Sequence, residues 1–440
     1  MTSTLLKAAS ASPLNAPTLH RLSNGLTIVA EQMPVEAVNL NLWLNVGSAK
    51  EPDDINGMAH FLEHMIFKGT TQLQSGEFER LVEARGAVTN AATSQDYTHY
   101  YITAAPKDFA DLAPLQIEVL LNASIPDQSF ERERFVVLEE IRRSEDNPRR
   151  RTFQRTTETT FEHLPYRRPV LGPTQVIEQL VPQQMRDFHT TWYQPCHMTA
   201  AVVGNLPVER MIEILEDGFA QAEQHRNPGV ASWDAAALKH MPKLHPEQSF
   251  QEIVRREFVD PTLQQARLVM TWRVPGLTDL DETYALDVLA SILGHGRTAR
   301  LVKDLREERG LVSQISASNM TYQHQGVFSV SARLSIEHLP AVEAAIVQHI
   351  AKMQTEPVTA SEIARVRTQV ANHFIFGNET PSDRSGLYGY YHSLVGDLAP
   401  ALNYPNHIRS LDEETLQAAA QKYLSPSAYG IIVMKPGQSQ

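Results

Sequence analysis

Five consecutive residues, His60-Phe61-Leu62-Glu63-His64, set two imidazoles four positions apart with a carboxylate between them. On a helix this spacing projects both rings from one face on successive turns, where they can share a metal ion. Glu63, three residues after His60, falls on the same face, while Phe61, Leu62, Met65 and Ile66 supply an apolar back that anchors the helix. With 17 histidines in the chain, some H-x-x-E-H is expected by chance only about 0.05 times. A catalytic zinc typically takes three protein ligands and keeps a fourth position for water. The helix expected over 127–145 offers the third. Glu133 and Glu140 are separated by about 700° of helix and point the same way, whereas Glu139 is turned ~100° aside. Phe135, Leu138 and Ile141 are expected to bury the opposite side. Glu140 is therefore the expected third ligand, and Glu133 a carboxylate that orients a histidine or the water. These groups suit addition of water to a carbonyl: zinc acidifies the water and polarises the carbonyl, and Glu63, itself unbound, takes the proton.

The elements that must hold these residues follow from periodicity. Leu26, Ile28 and Ala30 alternate, as do Val38, Leu40, Leu42 and Leu44, which predicts two strands. Helical spacing follows over 55–67 and 76–85, with Gly86 as a stop. A strand in NAATSQDYTHYYITA and helices over 106–122 and 127–145 complete the opening order. A strand at 198–206 and a helix at 207–224 lead to the polar segment 226–250, the expected linker. Beyond it the plan repeats: strand 266–274, helix 281–293, strand 327–334, a helix from Leu339 and a late strand, YGIIVM. The divisions predicted are a flexible tail over 1–20, a metal-binding domain over 21–225 and a homologous domain without a metal site over 251–440.

Composition bounds the function classes. At 440 residues, 42% hydrophobic and 20% charged, the chain is of ordinary globular type. A net charge of −12 lacks the even basic field that captures nucleic acid through its phosphates. No run approaches the ~18 apolar residues of a membrane helix, so neither nucleic acid nor membrane is an expected partner. The start lacks the apolar core of a secretory signal, and Cys196 is the one cysteine, so a bacterial cytoplasm is the expected compartment. The run Arg142, Arg143, Arg149, Arg150, Arg151 and Arg155 after the ligand helix suits acidic peptides or a solvated face equally. Tyr388, Tyr390, Tyr391 and His392 are expected to serve as core or interdomain packing rather than to line a chamber.

H-x-x-E-H is the inverzincin signature, and the block GMAHFLEHMIFKGT, preceded by NGLTIVAE and VNLNLWLNVGSAKE, resembles the pitrilysin-type metallopeptidases. The likeness continues through GAVTNAATSQDYTHYYITA, ERERFVVLEEI and ILGHGRTARLVKDLREERGL, and covers the chain from Leu22. It implies an α+β fold of two homologous domains, each a mainly antiparallel sheet with helices on one face. It implies one Zn2+ per chain on His60, His64 and Glu140, with Glu63 as general base. It implies further that paired chains close a chamber around peptides or unfolded polypeptides. Segment 89–95 resembles the family's edge strand, which makes Asn90, Ala91 and Ala92 expected substrate contacts through backbone pairing. The Arg and Tyr pair that many members use to hold the substrate carbonyl is not matched: Arg333 has no tyrosine at a suitable distance, and LVSQIS carries none. The expected assembly is therefore a homodimer, or a heterodimer with a second subunit of the family, as in maturation of a cofactor-precursor peptide. A non-catalytic scaffold is the remaining alternative, opposed by the complete set of four groups.

Overall fold

The computed structural model describes residues 16–226 and 244–437. Its first half contains β1 (Thr18–Arg21), β2 (Thr27–Gln32), β3 (Val38–Leu44), α1 (Met58–Ile66), α2 (Glu77–Glu83), β4 (Val88–Thr93) and β5 (Thr98–Ala104). These are followed by α3 (Pro106–Leu121), α4 (Asp127–Asp146), α5 (Pro148–Thr160), α6 (Thr174–Gln179), α7 (Pro182–Trp192), β6 (Met198–Gly204) and α8 (Val208–Gln224). The second half contains β7 (Val254–Asp260), β8 (Ala266–Pro275), α9 (Leu280–Gly294), β9 (Gln314–Thr321), β10 (Gln325–Leu334), α10 (Leu339–Thr355) and α11 (Ala360–Phe376). It ends with α12 (Pro381–Val395), α13 (Ala399–Ser410), α14 (Glu413–Tyr423) and β11 (Gly430–Pro436).

Two sheets carry the molecule, in the orders β1-β2-β6-β3-β5-β4 and β7-β11-β8-β10-β9. Apart from β1, they share one plan. In each, the first and last strands of the plan pair in parallel, β2 with β6 and β7 with β11, and every other pair is antiparallel. Alternation sorts the strands by face: Ile28, Leu40, Leu42, Ala200 and Val202 enter one core with Phe61, Phe109 and Phe219 from the helices. Leu268, Met270, Phe328, Val330, Ile431 and Val433 do the same in the second half. The fold expected from the sequence, α+β with two homologous, mainly antiparallel sheets, is the one observed.

Each sheet also receives one helix from the other half on its far face. On the first sheet, Tyr388 and Leu398 pack on Val29, Ala201 and Val203, and the Tyr388 hydroxyl donates to Glu31 at 2.7 Å. Arg384 of the same helix, α12, pairs with Glu31, so a buried carboxylate fixes the helix on the sheet. On the second sheet, Arg273 donates to the Thr160 carbonyl at the end of α5 at 2.6 Å. The aromatic run in α12 is thus interdomain packing, as expected.

Three expectations change. Residues 18–20 of the tail predicted over 1–20 belong to a strand instead, because Thr18–Arg21 pairs with β2; residues 1–15 lie outside the described part. Most of the expected linker, 227–243, lies outside it too, while Glu247 is held by Arg273 at 2.8 Å. Phe135 does not face the core: it is 70% exposed, and Phe130, Val137 and Ile141 are the buried apolar residues of α4. Among the described residues no helix is long and apolar enough to cross a membrane.

Candidate metal centre

The motif helix α1 begins abruptly because its start is held by a buried carboxylate. Glu51 accepts from the backbone N–H of Gly57 at 2.8 Å and of Ala59 at 2.7 Å, and from the Asn56 amide. These bonds satisfy donors that a helix leaves unpaired, and the negative group complements the helix dipole. Gly57 takes φ 100°, and a Cβ there would lie 2.7 Å from the Leu171 carbonyl oxygen, so only glycine fits the turn. Phe61, Leu62, Met65 and Ile66 are fully buried, and Phe61 stacks on Phe130 of α4 with ring centroids 4.5 Å apart. That contact sets the two helices face to face.

Between them, His60, His64 and Glu140 converge, with donor atoms all within 4.8 Å of one another. His60 Nε2 lies 3.5 Å and His64 Nε2 3.6 Å from Glu140 Oε2. These separations are long for hydrogen bonds and near the ~3.3 Å expected between ligands tetrahedrally placed at ~2.0–2.1 Å from one zinc ion. His60 Nδ1 is buried without a hydrogen-bond partner. The donor set, two imidazoles and a carboxylate, is that of a catalytic zinc site, so the residues present fit the metal.

Glu133, one face-repeat before Glu140, stands 3.4 Å from His64 Nδ1 and accepts from Lys68 at 2.7 Å. It lies behind the His64 ring and does not join the cluster. Glu63 projects beside the histidines, and its carboxylate accepts from the Thr93 hydroxyl of β4. Burial pushes the Glu63 carboxyl up, against the Thr93 bond. His60 is lowered to about 4 by burial and by His64. Burial also opposes charge on His64, but Glu140, Glu63 and Glu133 outweigh it and raise that ring. Glu140 is lowered, first by its contact with His64. Asn90, Ala91 and Ala92 lie on β4, which is the edge of the first sheet and, among the described residues, pairs with β5 alone.

The structure thus brings His60, His64 and Glu140 into one cluster, with Glu133 next to His64 and Glu63 held by Thr93. Sequence reasoning missed Lys68 and Thr93. Lys68 sits four residues after His64, a spacing that points to the same face, whereas nothing local in β4 marks Thr93 as the partner of Glu63.

Residues 27–174 match the family model described as Insulinase (Peptidase family M16), and residues 179–370 match Peptidase M16 inactive domain. The chain belongs to peptidase family M16. An uncharacterized zinc protease of Rickettsia felis is 25% identical over 416 residues, covering 94% of this chain and 97% of that one. Zinc protease PqqE of Helicobacter pylori is 26% identical over 421 residues, covering 94% and 92%. The crystal structure of a protease from Helicobacter pylori superposes with a TM-score of 0.86 at 26% identity, over 96% of this M16 chain and 99% of that one. A peptidase M16 inactive domain from Pseudomonas fluorescens, 18% identical with a TM-score of 0.83, shares the fold.

Proposed function

We propose that this M16 chain is a zinc-dependent endopeptidase that hydrolyses peptides or unstructured polypeptides within an enclosed chamber. The observation that carries the proposal is the convergence of His60, His64 and Glu140 beside a Glu63 that is held apart from them by Thr93. Bound there, zinc supplies a Lewis acid for the carbonyl and a water acidified toward neutrality. Glu63 takes the proton of that water and returns it to the leaving amine, a task favoured by a carboxyl raised by burial. Glu133 keeps the His64 ring turned toward Glu140. Extended substrate adds to the open edge of β4, with contacts at Asn90, Ala91 and Ala92; main-chain pairing demands little of the substrate sequence. The zinc protease names of full-length relatives support the cofactor and the reaction class.

A second chain of the family, a copy of this one or a paired subunit, closes the chamber and supplies the substrate-holding groups that Arg333 and LVSQIS do not provide. The paired-subunit reading makes this chain the zinc-bearing half of a processing peptidase. A bacterial cytoplasmic setting goes with a single cysteine.

Glu63→Gln tests the reading. Hydrolysis of an unstructured peptide should fall by about 10²–10⁴-fold while zinc content stays unchanged. Full activity in that variant would remove Glu63 from the mechanism.

A further inference from the structure

The corner that ends the ligand helix leads straight into a second, differently charged site. Asn147 caps α5, accepting from the Arg149 N–H at 2.9 Å, and Arg150 lies close enough to act on His60 and Glu140. From this corner α5 runs along the outer face of the second sheet, with Thr152 3.4 Å from Arg267 near one end and Thr160 bound by Arg273 at the other. Between helix and sheet is a groove of about 300 Å³.

The floor of the groove changes character along the strands. Arg267, Arg333 and Gln314 stand side by side on β8, β10 and β9. Two rows follow in which Ser331 faces Ser316 and Ser329 faces Ser318, and then Val327 beside Met320. Six residues of strand separate the arginine row from the apolar one, about 20 Å, the length of six extended residues. Phe153 and Met320, 41% and 40% exposed, leave apolar surface open.

At the arginine end three guanidiniums, Arg149, Arg267 and Arg333, form no ion pair with a carboxylate among the described residues, and none of the described Asp or Glu residues lines the groove. The neighbouring Asp260 is already taken by Arg151, at 2.9 and 2.6 Å, and by Thr262. Arg267 Nε is buried and unpartnered, and burial together with Arg333 and Arg149 disfavours its charge. Such a like-charge cluster, in a chain of net charge −12, is completed by an anion, and paired guanidiniums match a carboxylate in shape and charge.

We propose that this groove is a subsite for an extended, carboxylate-bearing peptide. Arg149, Arg267 and Arg333 read the carboxylate, and the Met320 and Val327 end receives an apolar side chain about six residues away. The proposal rests on the peptidase reading for its substrate class and adds a preference for acidic sequence to it. The carboxylate is either a side chain or the peptide's own C-terminus.

The test measures binding, by fluorescence anisotropy, of labelled 12-residue unstructured peptides to the zinc-loaded Glu63→Gln protein. Four probes separate the sources: one glutamate or glutamine, each as free acid or C-terminal amide. The expected result is that the anionic form of one pair binds about ten-fold more tightly than its neutral counterpart. That preference should shrink to about two-fold or less in Arg267→Gln/Arg333→Gln, and partly in Arg149→Gln, an exposed position that keeps the test valid should the double variant not fold. Equal binding of all four probes, or a preference that survives both sets of substitutions, overturns it. The two readings fail separately. If wild-type protein cleaves no peptide yet the arginine-dependent preference holds, the peptidase reading falls and the subsite stands. If cleavage depends on Glu63 but is indifferent to the carboxylate, the reverse follows.

Discussion

At the scale of single residues, the proposed centre includes groups that stand behind its ligands. Glu133 is held between His64 and Lys68, and a carboxylate in that position fixes the ring orientation and raises its basicity. Glu133→Gln should therefore weaken zinc retention about 10–100-fold, measured by chelator competition, with the fold intact by circular dichroism. Unchanged affinity would reduce Glu133 to a partner of Lys68. The pair Glu133 and Glu140 was legible in the sequence because helix geometry is rigid: two turns bring a side chain back to the same face. The Thr93 bond was not, because it joins a helix to a strand 30 positions away, and no local pattern encodes that distance.

At the scale of elements, helix ends show how titration and stability are linked. Thr359 and Glu362 form a reciprocal cap at the start of α11, and Arg300 binds Glu362 through Nε and Nη2 at 2.7 and 2.8 Å. The Arg300 guanidinium, outweighing burial, holds the Glu362 carboxyl at about 2. A carboxyl lowered by folding contributes stability that is complete above its unfolded value near 4.5 and is lost as pH falls toward 2. Discounted for solvent screening, the contribution is about 1–2 kcal/mol at neutral pH. Urea denaturation should show Glu362→Gln less stable by that amount at pH 7, with the difference narrowing from pH 4.5 toward pH 3. A constant difference across that range would contradict the linkage. Strands and helices with clean alternation, such as β3 and α1, were legible in the sequence. The short strand β1 was not, since its four residues are mostly exposed and only their pairing with β2 defines them. Phe135 misled because the expected apolar face of α4 was placed by residue type, whereas packing against α1 rotates that face to Phe130, Val137 and Ile141.

At the scale of the whole molecule, the exchange of α5 and α12 joins the two halves. Either half alone would leave apolar residues of one sheet face open, Val29, Ala201 and Val203 in the first and Val269, Ile432 and Met434 in the second. Sequence periodicity shows the duplicated plan but not the exchange, because a helix carries the same pattern whichever sheet it covers. The contact is tight at Gly389 of α12, where a Cβ would lie 2.1 Å from the Trp43 ring. Gly389→Ala should destabilise by about 1–3 kcal/mol, and urea should unfold wild type and variant alike in one transition by fluorescence and circular dichroism. Two separate transitions in the wild type would show that the halves are independent.

The proposed metal centre is tested most directly by the zinc content of the purified, metal-replete protein, wild type beside Glu140→Gln, with hydrolysis of an unstructured peptide followed in the same samples. The expected result is about one zinc per wild-type chain, a much lower content in Glu140→Gln, and peptide hydrolysis that falls with the zinc. A wild-type chain that holds no zinc, or a Glu140→Gln chain that holds as much as the wild type, would contradict it.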